Sequence, residues 1–452
     1  MKKTSYILFL VLFLVLCLLP LAGLAVTGPA EAAGNELLAL TPSLKTDEGK
    51  LNLDYLSDVN AWFGDHFSCR QELINLDAEM EAGLLGESAE EKVVLGKEGW
   101  LYYSSTLDDY QGSHRLTERQ VWAAAHTLSM LQAECERSGA KFLFTVAPNK
   151  NTLYPEHMPG KYGALSQESS LKDLAAALEE AGVPYLDLVA LLSQEDRTLY
   201  HRLDSHWTGL GAALARDGIM DAFELEAAPF YDPEQFTLRK DFDADLYRML
   251  YPTGTELDEE AYPVWDFTYE YTSRFRNAEE LNFTTACPGR TGSLFLFRDS
   301  FGNALHQYLA ESFGTASFSR AMPYVMSKIP EGTECVVIEI VQRNLPWLCT
   351  EAPEMLAPEA ELDLPETVTA QTAEVTSYEN DLGWFVINGT LNEAPDRDSP
   401  IWILAEGTVY EAFPAGEGEN PFTAALPELA DQIQILYVQN GTLLLSQEIP
   451  CH

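Results

Sequence analysis

The sequence predicts an α/β core, with a parallel sheet flanked by helices, followed by a small all-β domain that is sandwich-like. Short apolar runs alternate with stretches of helical periodicity through the first two thirds of the chain, an order typical of a parallel sheet covered on both faces. Asn-Gly dipeptides between apolar runs near the C-terminus indicate hairpins. A length of 452 residues, 46% of them hydrophobic, suggests two or three domains.

Residues 1–32 are predicted to be a signal peptide or an N-terminal membrane anchor. Lys2 and Lys3 precede an apolar run from Tyr6 to Val26, as in an export signal. The run approaches the roughly 20 residues that cross a bilayer. Ala30-Glu31-Ala32 offers a small-x-small cleavage site. We therefore expect an exported protein in the extracellular space or cell envelope, with cleavage and anchoring both open.

Residues 35–350 are predicted to form the core domain. Its first part, up to Glu90, is expected to be a helical excursion, and the α/β pattern starts near Val93. The predicted elements are a helix over Leu116–Ser138, a strand over Lys141–Val146, a helix over Ser169–Ala181, a strand at Pro184–Leu188 and a helix over Thr208–Phe223 capped by Thr208.

The region 227–290 is rich in Asp, Tyr and Pro and breaks this alternation, which predicts an insertion. Its aromatic side chains could stack on sugar faces or simply pack the insertion. They are Trp265, Tyr269, Tyr271 and Phe275.

Residues 351–365, rich in Glu, Ala and Pro, are predicted to be a linker to a β domain over 366–452. In that domain Asn388-Gly389 and Asn440-Gly441 predict hairpin turns. Each is followed by Thr and also matches a glycosylation sequon, but we favour the turn interpretation.

Composition limits the partners. With 28 basic and 70 acidic side chains the formal charge is -42, which opposes nucleic acid, anionic lipid and polyanionic substrates. Neutral or amino-sugar polymers fit better. Six cysteines follow the leader at scattered positions, so disulfides and buried free thiols are both open. No Cys-x-x-Cys or His-Glu-x-x-His motif is present, and we predict no metal site and no cofactor.

Two separated segments can together supply a hydrolase triad. Asp204 and His206 are two residues apart, so in an extended loop the carboxylate can hold the Nδ1 proton and leave Nε2 as a base. Ser300 follows an apolar run, Ser293 to Phe297, and precedes a helix-like stretch. A serine at such a turn is exposed near helix N-terminal amides. Alternatively, Asp204 and the pair Asp299-Ser300 only cap helices.

The arrangement resembles the alginate O-acetyltransferase-like, DHHW-type branch of the SGNH hydrolase superfamily over roughly residues 55–350. The matching motifs are Asp204-Ser205-His206-Trp207-Thr208, Arg298-Asp299-Ser300-Phe301-Gly302, the segment Val94–Tyr103, the Pro-x-Lys block in Val146–Pro155 and the strand Val337–Asn344. Two positions depart from the pattern: Ser205 stands where the family has a second histidine, and Arg298 where it has Gly.

The resemblance implies an SGNH-like fold with Ser300 as nucleophile, His206 as general base and then acid, and Asp204 as the residue that orients it. It also implies acetyl transfer through an acyl-serine to a polysaccharide acceptor, with a membrane-bound O-acyltransferase as acyl donor. A plain esterase would use the same triad. A non-catalytic glycan-binding protein of the cell envelope on the same fold is the alternative from another class.

The Ser300 backbone N–H is the first expected oxyanion donor. Further oxyanion or substrate candidates are Asn149, Lys150, Arg343 and Trp207. Each has a plainer interpretation: Asn149 as a turn residue, Lys150 as a surface charge, Arg343 as a partner of Glu339, and Trp207 as packing beneath the loop.

Overall fold

The computed structural model describes residues 2–29, 38–46, 49–365 and 373–451. Its helices, numbered in chain order, are α1 (Lys2–Thr27), α2 (Tyr55–His66), α3 (Arg70–Met80), α4 (Leu107–Gln111), α5 (Glu118–Arg137), α6 (Lys150–Leu153), α7 (Ser170–Ala181), α8 (Leu188–Leu192), α9 (Gly209–Ala222), α10 (Asp245–Leu250), α11 (Gly302–Ala310) and α12 (Trp347–Thr350). The suggested cleavage site Ala30-Glu31-Ala32 and the predicted start of the β domain at Glu366 lie outside the described residues.

The strands are numbered in the same way. Those of the N-terminal two thirds are β1 (Val93–Leu95), β2 (Leu101–Tyr103), β3 (Lys141–Ala147), β4 (Tyr185–Leu186), β5 (Phe236–Phe242), β6 (Asp258–Pro263), β7 (Glu270–Tyr271), β8 (Asn282–Ala286), β9 (Ser293–Phe297), β10 (Thr315–Ser319) and β11 (Cys335–Val341). Those of the C-terminal part are β12 (Glu359–Ala360), β13 (Ala373–Glu379), β14 (Phe385–Leu391), β15 (Ile401–Ala405), β16 (Thr408–Ala412), β17 (Pro421–Leu426), β18 (Gln432–Gln439), β19 (Thr442–Leu445) and β20 (Ile449–Pro450).

A central sheet of order β4-β3-β11-β9-β10-β8-β7 organises the core. The neighbours from β4 to β10 are parallel, as predicted. β8 pairs antiparallel with β10 and β7 with β8, so the second half of the region 227–290 extends the sheet. The predicted α/β class is confirmed, with an antiparallel edge added to it.

The sheet is buried on both faces. Side chains of β3 and β11 alternate between two clusters: Leu143 and Val337 face α9 and α11, whereas Phe144 and Ile338 face α5 and α7. This alternation follows from the two-residue period of a strand. It explains why β11 is buried along its whole length and is apolar at every position except Glu339.

Capping residues set where the flanking helices begin. The Thr117 hydroxyl accepts a hydrogen bond from Gln120 N, and Gln120 Oε1 accepts one from Thr117 N, which forms a capping box at α5. Thr208 caps α9 through Gly211 N, as predicted. The residues from Leu203 to Trp207 therefore lie on the loop that leads into α9.

The C-terminal strands form a sandwich, as predicted. One sheet has the order β12-β16-β15-β18-β19, with β20 on β18, and the other has the order β13-β14-β17. Ile387 and Phe422 of the smaller sheet pack with Ile403 and Ile435 of the larger one. The Asn440-Gly441 hairpin is confirmed, since both residues have positive φ and connect β18 to β19.

The predicted turn at Asn388-Gly389 is wrong. Both residues lie inside β14 and pair with β13 and β17. A Cβ on Gly389 would come within 2.3 Å of Phe422 Cζ, so the missing side chain makes room for that ring. Glycine here serves close packing within a strand rather than a turn.

The predicted linker runs close to both parts of the chain. Met355 packs in the α5 side of the core, whereas Ala357 packs in the sandwich. Arg119 of α5 donates to the carbonyls of Arg397 and Ser399 at 2.8 and 2.6 Å, and His126 contacts Glu411 at 2.7 Å. The division at 351–365 stays a prediction, and these contacts join its two sides.

The described side chains of the N-terminal helix are largely exposed, and Gly23 lies close to Ser68. Within α1, Tyr6–Val26 has a mean hydropathy of 3.1 and is long and apolar enough to cross a membrane. Elsewhere, Cys135, Cys287, Cys335 and Cys349 are buried free thiols.

Candidate active site

Three chain segments meet at the carboxyl edge of the central sheet. Asn149 and Lys150 follow β3, Ser300 follows β9, and Arg343 follows β11. These strands are neighbours in the order β3-β11-β9, so their ends lie side by side. The loop before α9 brings His206 to Ser300. Ligands of open α/β sheets commonly bind at this edge.

Asp204, His206 and Ser300 form one hydrogen-bonded chain. His206 Nδ1 lies 2.7 Å from Asp204 Oδ1, and His206 Nε2 lies 2.8 Å from Ser300 Oγ. With the proton on Nδ1, Asp204 accepts it and Nε2 accepts from the serine hydroxyl. Asp204 is 2% exposed, whereas His206 and Ser300 are half-buried. This is the geometry of a nucleophile, a base and an orienting carboxylate.

The loop that carries Asp204 and His206 is held from inside the protein. Asp204 Oδ1 also accepts from His206 N at 2.9 Å, which locks the two residues together. Lys150 Nζ donates to the carbonyls of His201, Arg202 and Asp204 at 3.0, 3.1 and 2.5 Å. These bonds fix the loop that places the imidazole.

The carboxylate of Asp204 and the imidazole of His206 shift each other's pKa. Burial opposes ionisation of Asp204, but the charge and hydrogen bond of His206 hold the pKa of this carboxyl well below its ordinary value. Burial also lowers the pKa of His206, yet the charge and hydrogen bond of Asp204 outweigh it, so the pKa of His206 is raised. Asp204 thus stays ionised beside a strengthened base.

Asp299 shapes the turn that exposes Ser300. Its Oδ1 accepts from Phe301 N at 2.9 Å and its Oδ2 from Val341 N at 2.7 Å, which ties the turn to the end of β11. Helix α11 follows Phe301 and has no side-chain cap, so the predicted cap by Asp299-Ser300 is not formed. Asp299 instead holds the turn that precedes the helix. No described group accepts a hydrogen bond from Ser300 N, so this N–H is free to donate to a ligand.

Asn149 and Lys150 are occupied by structural bonds. Asn149 is buried, donates to Asp109 Oδ2 at 2.9 Å and accepts from Arg343 N at 3.2 Å. Lys150 is 4% exposed, which excludes the surface-charge interpretation, and its three donors are used on the loop carbonyls. Burial lowers the pKa of Lys150 to about 8.

Arg343 is the candidate whose guanidinium is available. It lies 5.6 Å from the Phe301 ring and 5.4 Å from the Tyr103 ring, and none of the described residues accepts a hydrogen bond from it. Its charge lowers the pKa of His206, which places it in the field of the site. It does not pair with Glu339, whose Oε2 accepts from Asp299 N at 3.3 Å.

Trp207 packs beneath the loop. It is 1% exposed, and its Nε1 donates to Phe301 O at 3.0 Å, which joins the loop before α9 to the turn after Ser300. Trp207 therefore has a packing role in this structure.

The two departures from the family pattern both bond to the region 227–290. Ser205 Oγ donates to Asp245 Oδ2 at 2.6 Å. Arg298 is buried, donates to the carbonyls of Ala278 and Glu280 at 2.6 and 3.2 Å, and has its pKa lowered to about 10 by burial. This region is thus attached to the site at two points.

The aromatic side chains of that region mostly pack inward. Trp265, Tyr269 and Phe275 contact the α9 and α11 side of the core, and Tyr271 is 37% exposed while stacking on Phe275 at 3.7 Å. His306 is bonded to Asn303 O and Tyr271 Oη, and neither ring nitrogen contacts the triad.

Asp245 is the site residue that the sequence does not reveal. It sits at the start of α10, and its Oδ2 lies 3.6 Å from His206 Nδ1. Asp241 and Asp243 are close by in the sequence, and no local pattern separates Asp245 from them. Asp204, His206 and Asp245 offer atoms within 4.8 Å of one another, but both Asp204 oxygens and His206 Nδ1 are already hydrogen-bonded. These atoms of Asp204 and His206 therefore already have partners within the protein.

Comparison with known proteins agrees with the motifs. Residues 93–267 match a family described as SGNH hydrolase-like domain, acetyltransferase AlgX. The predicted resemblance is confirmed. This SGNH hydrolase-like region contains Asp204 and His206, whereas Ser300 lies beyond the matched residues.

The chain is also similar to two curated proteins and to one solved structure. The chain is 30% identical over 172 residues to a probable alginate O-acetylase AlgJ of Pseudomonas aeruginosa, covering 38% of this chain and 42% of that protein. It is 28% identical over 191 residues to the Pseudomonas syringae protein of the same name, covering 41% and 47%. A DHHW family protein from Eubacterium siraeum is 16% identical with a TM-score of 0.41, covering 57% of this chain and 97% of that one. The chain spans less than half the length of the two curated relatives.

Proposed function

We propose that this protein is an exported, serine-dependent O-acetyltransferase or esterase that acts on a polysaccharide of the cell envelope or extracellular space. The observation that carries the proposal is the continuous chain from Asp204 through His206 to Ser300, with contacts of 2.7 and 2.8 Å. The names of the AlgJ relatives support acetyl transfer to a polysaccharide.

In the first half-reaction Ser300 Oγ attacks the carbonyl carbon of an acetyl ester while His206 Nε2 takes the hydroxyl proton. The C–O bond to the leaving alcohol breaks, and His206 returns the proton to that alcohol. In the second half-reaction a sugar hydroxyl or water attacks the acetyl-serine and gives its proton to His206. The choice of acceptor separates the transferase from the esterase.

The developing oxyanion needs donors that are free in the resting site. Ser300 N and the Arg343 guanidinium meet this requirement among the described groups, since both lack an accepting partner. We propose them as the donor pair. Asn149, Lys150 and Trp207 then act by holding the surrounding loops.

The location and partners belong to the same proposal. The apolar helix Tyr6–Val26 would direct export or anchor the protein at a membrane. A membrane-bound O-acyltransferase would supply the acetyl group to Ser300.

Substitution of the triad tests the reaction. Ser300→Ala should abolish acetyl release from p-nitrophenyl acetate, and His206→Ala should reduce it nearly as far, because the two side chains act as one unit. Asp204→Asn should lower kcat about 10⁴-fold if it behaves as the orienting Asp of other triads does. Undiminished turnover by folded Ser300→Ala protein would refute the mechanism. A wild-type protein that shows no turnover and no fluorophosphonate labelling would favour the glycan-binding alternative.

A further inference from the structure

Asp245 contacts the loop Leu203–Trp207, here called the acid–base loop because it carries Asp204 and His206, through three hydrogen bonds. Its backbone N donates to Asp204 Oδ2 at 2.6 Å. Its Oδ1 accepts from Ser205 N at 2.8 Å, and its Oδ2 accepts from the Ser205 hydroxyl at 2.6 Å. The loop between Leu203 and Trp207 is therefore held by α10 on one side and by Lys150 on the other.

This arrangement places a second carboxylate beside the imidazole. Asp245 Oδ2 lies 3.6 Å from His206 Nδ1, against 2.7 Å for Asp204 Oδ1. The Ser205 hydroxyl stands near both, at 3.3 Å from Nδ1 and 2.6 Å from Asp245 Oδ2. Nδ1 has one proton and Asp204 accepts it. Asp245 therefore acts on the ring by its charge and through Ser205, not by a direct strong hydrogen bond.

We propose that Asp245 and Ser205 form a positioning pair that orients His206 and raises its basicity. Of the two, Ser205 occupies the position at which the family has a second histidine. The inference rests on the proposed function, because basicity at Nε2 matters only if His206 activates Ser300. It assigns a role to a residue from the region 227–290.

The charges around the ring determine the sign of the effect. His206 faces the carboxylates of Asp204 and Asp245 and the guanidinium of Arg343. Asp245 in turn faces Asp204, His206 and the ammonium of Lys150. Removing the Asp245 charge takes away an attraction for the imidazolium, so the pKa of His206 must fall.

The pKa of the Asp245 carboxyl agrees with this role. Burial, followed by the charge of Asp204, raises the pKa of Asp245 to about 6. The carboxyl is thus ionised at neutral pH and can support the imidazolium that forms during the reaction. Below about pH 6 it becomes neutral and the support is lost.

Asp245 also has a local structural bond, from Leu246 N to its Oδ1 at 2.6 Å. A purely structural residue would lower stability and activity when changed, but it would leave the pKa of His206 in place. The decisive measurement is therefore the titration of His206, with activity beside it.

The experiment compares four variants of the full chain: Asp245→Asn, Asp245→Glu, Ser205→Ala and the control Asp243→Asn. Asp243 is an exposed carboxylate paired with Arg248, two residues from Asp245, so its variant makes the same charge change away from the ring. The imidazole of His206 is titrated by NMR in histidine-labelled protein, and its signal is identified by its loss in His206→Gln. The pH dependence of kcat/KM for p-nitrophenyl acetate and the thermal unfolding temperature are measured in parallel.

For Asp245→Asn we expect the His206 titration and the acidic limb of kcat/KM to move to lower pH by about 0.5 to 1. We expect kcat to fall about 10-fold, because the Ser205 hydroxyl loses its charge-assisted hydrogen bond to the Asp245 carboxylate and the ring loses a nearby negative charge. Asp245→Glu should restore the position of the titration. Ser205→Ala should lower kcat severalfold with a smaller shift, since the charge remains. Asp243→Asn should match the wild type.

An unmoved His206 titration in folded Asp245→Asn protein overturns the inference, whatever happens to the rate. The same holds if Asp243→Asn moves it equally, because the effect would then be one of net charge. Failure of the proposed function is a separate result: full turnover by Ser300→Ala would remove the mechanism while the NMR titration still reports whether Asp245 acts on His206.

Discussion

At the scale of single residues, the buried ammonium of Lys150 holds the acid–base loop. Its three donors satisfy carbonyls of His201, Arg202 and Asp204, and its own pKa is lowered to about 8 by burial. A buried lysine that bonds only to carbonyls is costly in the absence of nearby carboxylates. The charges of Asp204, Asp245 and Asp258 offset that cost.

Lys150→Met should therefore destabilise the protein and lower activity. Losing three bonds and leaving buried carbonyls unpaired should reduce the free energy of unfolding by about 3 kcal/mol. We expect kcat on p-nitrophenyl acetate to fall because the loop loses its support, and denaturant unfolding to report the stability change. The exposed Lys172, bonded to Gln167 O, supplies the control Lys172→Met, which should change stability by less than about 0.5 kcal/mol. Equal behaviour of the two variants would contradict this role.

Sequence patterns point to Asp204, His206 and Ser300, which the structure joins by hydrogen bonds, because each lies in a recognisable local setting. Asp204 and His206 sit two residues apart before a capped helix, and Ser300 sits between a strand and a helix. The role of Lys150 and the presence of Asp245 depend on distant chain segments meeting at the loop. No spacing in the sequence encodes such meetings.

At the scale of elements, β14 shows where a local rule fails. Asn-Gly usually marks a hairpin, yet Asn388 and Gly389 run through the middle of a paired strand. Phe422 of β17 fills the space above Gly389. Packing between strands has overridden the turn preference, whereas Asn440-Gly441 has no such partner and forms the turn.

Gly389→Ala should destabilise the sandwich by roughly 1 to 3 kcal/mol, because the new methyl group overlaps the Phe422 ring. Thermal or denaturant unfolding measures the change. Gly64→Ala is the matched control: it lies in α2 with nothing within 4 Å of its added Cβ, and it should be neutral or slightly stabilising. A Gly389→Ala protein as stable as the wild type would show that the ring can move aside at no cost.

At the scale of the whole molecule, the parallel sheet and the sandwich are predictable because the spacing of apolar residues in the sequence marks their strands and helices. The added antiparallel strands β7 and β8 do not, because their segment lacks a clear two-residue alternation and is dominated by polar and aromatic residues. The contact between the core and the sandwich is likewise not visible in either segment alone.

That contact predicts how the two parts depend on each other. A protein that ends at Thr350 loses the Arg119 bonds to Arg397 and Ser399, the His126–Glu411 pair, and Phe413, which is 1% exposed within the core. We expect the truncated core to unfold at a lower temperature than the full chain, as differential scanning calorimetry would show. An unchanged unfolding temperature would mean that the core is independent of the sandwich.

The proposed reaction requires that Ser300 carry the acetyl group during turnover. The most direct measurement is intact-protein mass spectrometry after rapid mixing with excess p-nitrophenyl acetate and acid quenching, followed by peptide mapping. We expect one added acetyl group, located on Ser300 and absent from Ser300→Ala protein. An active protein that never acquires the acetyl group, or that acquires it equally as the Ser300→Ala variant, would contradict an acetyl-serine intermediate at Ser300.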